Sequence, residues 1–126
     1  MYRELDQISL KNGERVDCGV IRCPDADWAE RMENFLSHKP EIYKWQISRF
    51  LREDTGIVVR IYLLCRGSTP LACMFTAEHR GTGFFGHVWT RPEDRRKGGA
   101  SGLIRRLVAD FRARDTDALF LGTGFD

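Results

Sequence analysis

The sequence predicts an α/β (α+β) domain, built as a mixed, mostly antiparallel central sheet with flanking helices. Three observations carry this expectation. Three β-like runs follow one another across short turns, as antiparallel hairpins require. Two stretches with helical apolar spacing come before them. A strand, a turn, a helix and a strand then close the chain, a crossover whose two strands must run parallel.

Taken in order, a polar N-terminal stretch leads to "RVDCGVIRC", the first expected strand. "PDADWAERMENFLSHK" reads as a helix: Asp25 caps it after Pro24, and Trp28, Met32, Phe35 and Leu36 fall on one face. "PEIYKWQISRFLRED" repeats the pattern with Tyr43, Ile47, Phe50 and Leu51. Ile42 and Trp45 fall off that stripe, and packing against the preceding helix is expected for them rather than a second surface. The three β-like runs span 57–65, 71–79 and 83–90, joined by "RGSTP" and "RGTG". Leu103, Ile104, Leu107, Val108 and Phe111 then keep helical spacing, and "DALFLGTG" supplies the last strand.

The chain of 126 residues is expected to form a single domain over 1–126, with ordinary globular values of 42% hydrophobic and 30% charged residues. A net charge of +2 does not by itself argue for a nucleic-acid partner. Cys18, Cys23, Cys65 and Cys73 show no CxxC spacing, and "MYRELDQISLKNGER" is not an apolar leader. The expectation is a reduced, cytoplasmic protein with its cysteines in the core. No apolar run approaches the roughly 20 residues of a membrane span, so no membrane partner is expected. His38 and His79 lack metal-ligand spacing with any cysteine, and no metal is expected. Arg105, Arg106, Arg112 and Arg114 read as a solvated helix face, screened by Asp110 and Asp115.

The chemistry concentrates in "TRPEDRRKGGASGLIRRLVADF", where the strand ends and the helix begins. Unpaired backbone N–H groups and the positive end of the helix dipole point at one space there, which favours an anion. Gly98, Gly99 and Ala100 let a ligand approach the backbone, while Arg95, Arg96 and Lys97 add charge. The turn is neither a P-loop, since Lys97 precedes the glycines, nor a G-x-G-x-x-G dinucleotide fingerprint.

"VWTRPEDRRKGGASGLIRRLV" resembles the acetyl-CoA-binding signature of the GNAT superfamily of N-acetyltransferases, R/Q-x-x-G-x-G/A after a strand and a proline-bearing turn. Arg95, Gly98 and Ala100 hold the signature positions, with Val88, Trp89, Thr90 and Pro92 matching the strand and turn before them. The resemblance runs from about Arg15 to Asp126 and includes the element order. It implies acetyl-CoA as cosubstrate and transfer of its acetyl group to an amine, on a small molecule or a protein. In the family, strand-end backbone pairs with pantetheine, which would assign Val88, Trp89 and Thr90. Turn backbone holds the pyrophosphate, assigning Arg96, Lys97, Gly98, Gly99 and Ala100, with a hydroxyl from Ser101. Divergence between strands ending near Thr90 and Thr123 would admit the thioester. The Val88 N–H is the implied oxyanion donor, and Glu78 and His87 are the candidate bases. The carboxylate that some relatives carry on the last strand is replaced here by Gly122.

Three positions depart from the family pattern: Gly99 is usually apolar, Asp94 lies near an aromatic position, and Thr90 is usually β-branched and apolar. Family members continue with a helix, often bearing the tyrosine that protonates the thiolate, and two strands. The expectation is therefore a fragment or truncated chain. The alternatives are a wall supplied by another chain, as in a homodimer, or a reduced fold that binds without catalysis. A non-catalytic acyl-CoA-binding or regulatory module is thus the second functional reading, and a nucleic-acid binder using the Arg-rich turn is the weakest.

Overall fold

Near-continuous apolar runs at 57–65 and 71–77 suit strands buried on both faces, since successive side chains of a strand point to opposite sides of the sheet. The computed structural model describes residues 1–80, 82–114 and, by backbone, 118–121. Its strands are β1 (Tyr2–Ser9), β2 (Arg15–Arg22), β3 (Val58–Arg66), β4 (Thr69–His79), β5 (Thr82–Thr90) and β6 (Ala118–Leu121). Helices α1 (Ala26–Phe35) and α2 (Glu41–Arg52) lie between β2 and β3, and α3 (Gly99–Ala113) lies between β5 and β6. The strands form one sheet in chain order, antiparallel from β1 through β5, with β6 parallel to β5. The architecture is the α+β arrangement expected.

The N-terminal stretch corrects the sequence reading, because Tyr2–Ser9 is an edge strand rather than a polar lead-in. Its turn is an Asn-Gly hairpin: Gly13 has a φ of +89°, and the Leu10 N–H donates to the Glu14 carbonyl at 2.8 Å. The strand escapes periodicity because an edge needs few inward apolar residues: Leu5 and Ile8 serve on one face and Tyr2 on the other.

Two apolar layers sandwich the sheet. Ile61, Leu63, Cys65, Cys73 and Phe75 face α1 and α2, where Trp28, Met32, Ile47 and Leu51 complete the layer. Tyr62, Leu64, Ala72 and Met74 face α3, against Leu103, Leu107 and Phe111. Each fully buried leucine or isoleucine contributes about 1.5–3 kcal/mol, so these layers are the main stabilising term. Asp25 caps α1 by accepting from the N–H groups of Asp27 at 3.0 Å and Trp28 at 3.2 Å.

Glu33 ties the two helices together, accepting from Ser48 Oγ at 2.7 Å and Arg52 Nη2 at 2.6 Å. Ile42 and Trp45 do not pack on α1 as expected; they are 64% and 57% exposed. The α2 stripe through Ile47 and Leu51 already fills the contact, which leaves their side of the helix to solvent. All four cysteines are free and buried, and burial pushes each thiol up to about 12. No described helix is long and apolar enough to cross a membrane.

Candidate functional site

The loop between β5 and α3 is shaped by left-handed residues and a buried carboxylate. After β5 the Arg91 N–H donates to the Leu71 carbonyl at 2.9 Å, and Pro92–Asp94 make one 3-10 turn. Arg96 and Gly98 then take φ values of +64° and +83°. Alternation of this kind turns successive N–H groups toward a common concavity. Gly98 caps α3 without a side-chain bond, and the first helical bond runs from Gly102 N–H to the Gly98 carbonyl at 3.1 Å. The N–H groups of Gly99, Ala100 and Ser101 therefore stand at the open, positive end of the helix.

Asp94, 3% exposed, anchors the turn from beneath. It accepts from Arg66 Nη2 at 2.9 Å and lies 3.5 Å from Lys97 Nζ. The Arg66 bond holds its carboxyl below the usual carboxylate range against the opposing pull of burial. Its Oδ2 has no hydrogen-bond partner among the described residues. Arg95 reaches back, donating from Nε to the Thr90 carbonyl at 2.9 Å with its guanidinium 4.7 Å above the Trp89 ring. The Trp89 ring also stacks on His38, with centroids 3.7 Å apart.

These elements enclose a depression of about 510 Å³. Val88, Trp89, Thr90, Arg95, Arg96, Gly98, Gly99, Ala100 and Ser101 line it, so the sequence-derived socket residues come together. Lys97 is the exception among the expected socket residues and does not line the depression; its ammonium turns to Asp94. Lys11 takes a place that sequence reasoning missed. It comes from the β1–β2 hairpin, and its N–H donates to the Lys97 carbonyl at 2.8 Å. Strand β3 and the hairpin together account for Gly99: a Cβ there would stand 3.2 Å from Leu64 Cδ1 and 3.5 Å from Leu10 Cδ2. The signal that could have found Lys11 was the Asn12-Gly13 pair.

A bulge in β5 joins this socket to a second depression. Cys73 pairs with Trp89 and Phe75 with Gly86, so His87 and Val88 together oppose Met74. His87 takes the left-handed φ of +48°, and its carbonyl accepts from Cys73 Sγ at 3.4 Å. Bulges re-aim side chains and increase local twist. The His87 ring lies edge-on to Tyr43 and Phe75, with Nε2 3.0 Å from Gln46 Oε1. It lines a cavity of about 290 Å³ between α2 and strands β4 and β5. His87 therefore borders one depression, and the next residue, Val88, borders the other.

Glu78 sits elsewhere, in ion pairs with Arg60 and Arg114. Arg114 also pairs with Asp110, which accepts from the hydroxyl of the fully buried Tyr62. Burial raises the Asp110 pKa, but the Tyr62 bond and the Arg114 charge outweigh it and hold the carboxyl low. Arg114 is thus not part of a solvated face, and Arg106 reaches Asp6 of β1 at 2.8 Å. Asp115, Gly122 and Thr123 lie outside the described residues. The β5–β6 pairing that is described runs from Thr82–Ala118 to Phe85–Leu121. Among the described residues no group of three or more His, Cys, Asp or Glu side chains gathers to hold a metal.

No protein-family model matches the sequence, and no curated protein matches it. Solved structures do. A ribosomal-protein-alanine N-acetyltransferase from Brucella melitensis biovar Abortus 2308 is 15% identical with a TM-score of 0.66, covering 86% of this chain and 80% of its own. The GNAT domain of S. lividans PAT is 16% identical with a TM-score of 0.64, covering 89% and 73%. The aminoglycoside N-acetyltransferase AAC(6')-Iy, in complex with a CoA-containing bisubstrate analog, is 11% identical with a TM-score of 0.59, covering 85% and 80%. By this structural likeness the chain has the fold of the GNAT N-acetyltransferases.

Proposed function

We propose that the chain binds acetyl-CoA and transfers its acetyl group to a primary amine. The observation that carries this reading is the junction at the β5 bulge, where the anion socket and the cavity beside His87 meet at adjacent residues. The socket fits a pyrophosphate: helix-terminal N–H groups, a left-handed glycine with no side chain in the way, and cations at Lys11 and Arg96. Acetyl-CoA supplies an activated acyl group when bound. Backbone N–H groups of residues 96–101 hold its phosphates, and Lys11 adds a cation.

The Thr90 carbonyl is already engaged by Arg95, so strand-like pairing with pantetheine falls mainly to Val88 and Trp89. The Val88 N–H is the donor for charge developing on the acyl oxygen. His87 takes the proton from the attacking amine. Its Nε2 stands 3.0 Å from Gln46 Oε1, which orients the ring at the cavity edge. Glu78 is set aside as base because two arginines already hold its carboxylate.

That same engagement of Glu78 favours, as a second reading, a module that binds acyl-CoA without turnover. Calorimetric titration with acetyl-CoA, CoA and dephospho-CoA tests both, and a folded chain that binds none of them would overturn both. Binding without turnover across a panel of amines would select the module. Gly98→Glu, which places a carboxylate in the socket, is expected to abolish binding.

A further inference from the structure

The cavity beside His87 has a composition that selects among amines. Tyr43, Phe50, Val59, Phe75 and Phe84 supply its walls, and Gln46 and His87 form its polar edge. Among the described residues that line it there is no Asp, Glu, Lys or Arg. Glu33 is occupied by Ser48 and Arg52, and Glu78 by Arg60 and Arg114. An ammonium carried into such a space loses water and gains no carboxylate. A polyamine or aminoglycoside would meet that penalty at every charge beyond the one that reacts.

Size points the same way. The volume of about 290 Å³ lies at the small end of ligand pockets, enough for one ring system rather than several linked rings. Phe84, 57% exposed, places a large aromatic side chain on the cavity wall. Gly86 leaves the adjoining wall open, since a Cβ there would meet nothing within 4 Å.

We infer that the acceptor is a primary amine carried on a single apolar or aromatic body, which stacks between α2 and β5 and presents its amine to His87. This inference rests on the acetyl-transfer reading and narrows it. Aromatic rings on both sides of the cavity supply dispersion and edge-to-face contacts for such a body. The Gln46–His87 edge offers the amine polar partners in the described lining, beside the hydroxyl-bearing Thr76 and Tyr43.

The test compares phenethylamine and tryptamine with spermidine and kanamycin in the full chain, by release of free CoA thiol. We expect kcat/KM to favour the aromatic amines by at least about tenfold, the scale on which apolar pockets discriminate. Equal or reversed preference would overturn the inference while leaving acetyl transfer standing. Failure to bind acetyl-CoA would instead overturn the transfer reading.

If acetyl-CoA binds but no amine turns over, calorimetry of phenethylamine and spermidine against the CoA-saturated chain decides, and tighter spermidine binding refutes the inference. Gly86→Leu should fill the cavity and weaken phenethylamine about tenfold or more while acetyl-CoA affinity holds. Phe84→Glu, at an exposed position that tolerates a charge, provides a second variant. It should shift preference toward spermidine, and an unchanged ratio would count against the cavity as the acceptor site.

Discussion

The backbone N–H of Lys11 donates to the carbonyl of Lys97 across 2.8 Å, which fastens the β1–β2 hairpin to the turn before α3. The Lys11 side chain follows, its methylenes lying 3.5 Å from where a Gly98 Cβ would stand. A cation on the rim of an anion socket contributes on the scale of a partly exposed charge pair, about 1 kcal/mol. Lys11→Glu should therefore weaken CoA binding about tenfold or more, and Lys11→Gln about three- to fivefold, with a shallower dependence on salt. Calorimetry at two ionic strengths measures both. Unchanged affinity in Lys11→Glu would remove this residue from the socket.

Glu78 and His87 are expected to separate by the kind of damage their loss causes. Glu78→Gln removes a charge from a mostly buried pair of ion pairs and should lower stability by about 1–3 kcal/mol. Turnover per folded molecule should stay within about threefold, because the carboxylate is not asked to move a proton. His87→Asn keeps a residue that tolerates the left-handed bulge conformation and removes the base, so kcat should fall about a hundredfold. Urea unfolding beside steady-state kinetics distinguishes the two patterns. A Glu78→Gln variant that folds normally but loses turnover would return the base to Glu78.

How much of this was legible in the sequence depends on how local each feature is. The α3 stripe from Leu103 to Phe111, the Asp25 cap and the small-residue turn at Gly98–Ala100 are written in neighbouring residues, and the structure shows all three. Strand β1 was not legible, because an edge strand with alternating charges carries no apolar run. Lys11 in the socket and the pairing of Arg66 with Asp94 join residues far apart in sequence, and only sheet register brings them together. The pairing of Arg60 with Glu78 was not readable from the turn at Gly67 either, because Arg60 stands opposite Thr76, and a register shift between Leu64 and Cys65 sets the diagonal to Glu78. The bulge needed a left-handed histidine, which nothing in composition marks.

Asp94 should make stability sensitive to acid. Its folded-state carboxyl is held below the usual range by the Arg66 hydrogen bond, so the unfolded chain takes up the proton first. The stabilisation is present above the unfolded value of about 3.9 and is lost as pH falls through the lower folded value. Asp94→Asn should cost about 1–3 kcal/mol near neutral pH, and the gap to the parent should shrink below about pH 4. Urea unfolding across that window measures it. A gap that stays constant into acid would mean that the Arg66–Asp94 pair contributes nothing through its charge.

The contact between Gly102 and Ile8 sets a different balance, between helix propensity and packing. A Cβ on Gly102 would stand 2.9 Å from Ile8 Cγ2 and 3.1 Å from Cδ1, so the strand must give way before any side chain fits. In an unobstructed helix the change to alanine gains about 1 kcal/mol, whereas crowding a packed contact costs about 1–3 kcal/mol. Gly102→Ala should therefore leave the protein no more stable, and destabilise it by up to about 1 kcal/mol. In an Ile8→Ala background the same change should stabilise by about 0.5–1 kcal/mol, because the obstructing methyl groups are gone. Denaturant unfolding of the four proteins in this cycle reads the coupling directly. Additive effects would mean that β1 does not press on α3 at this contact.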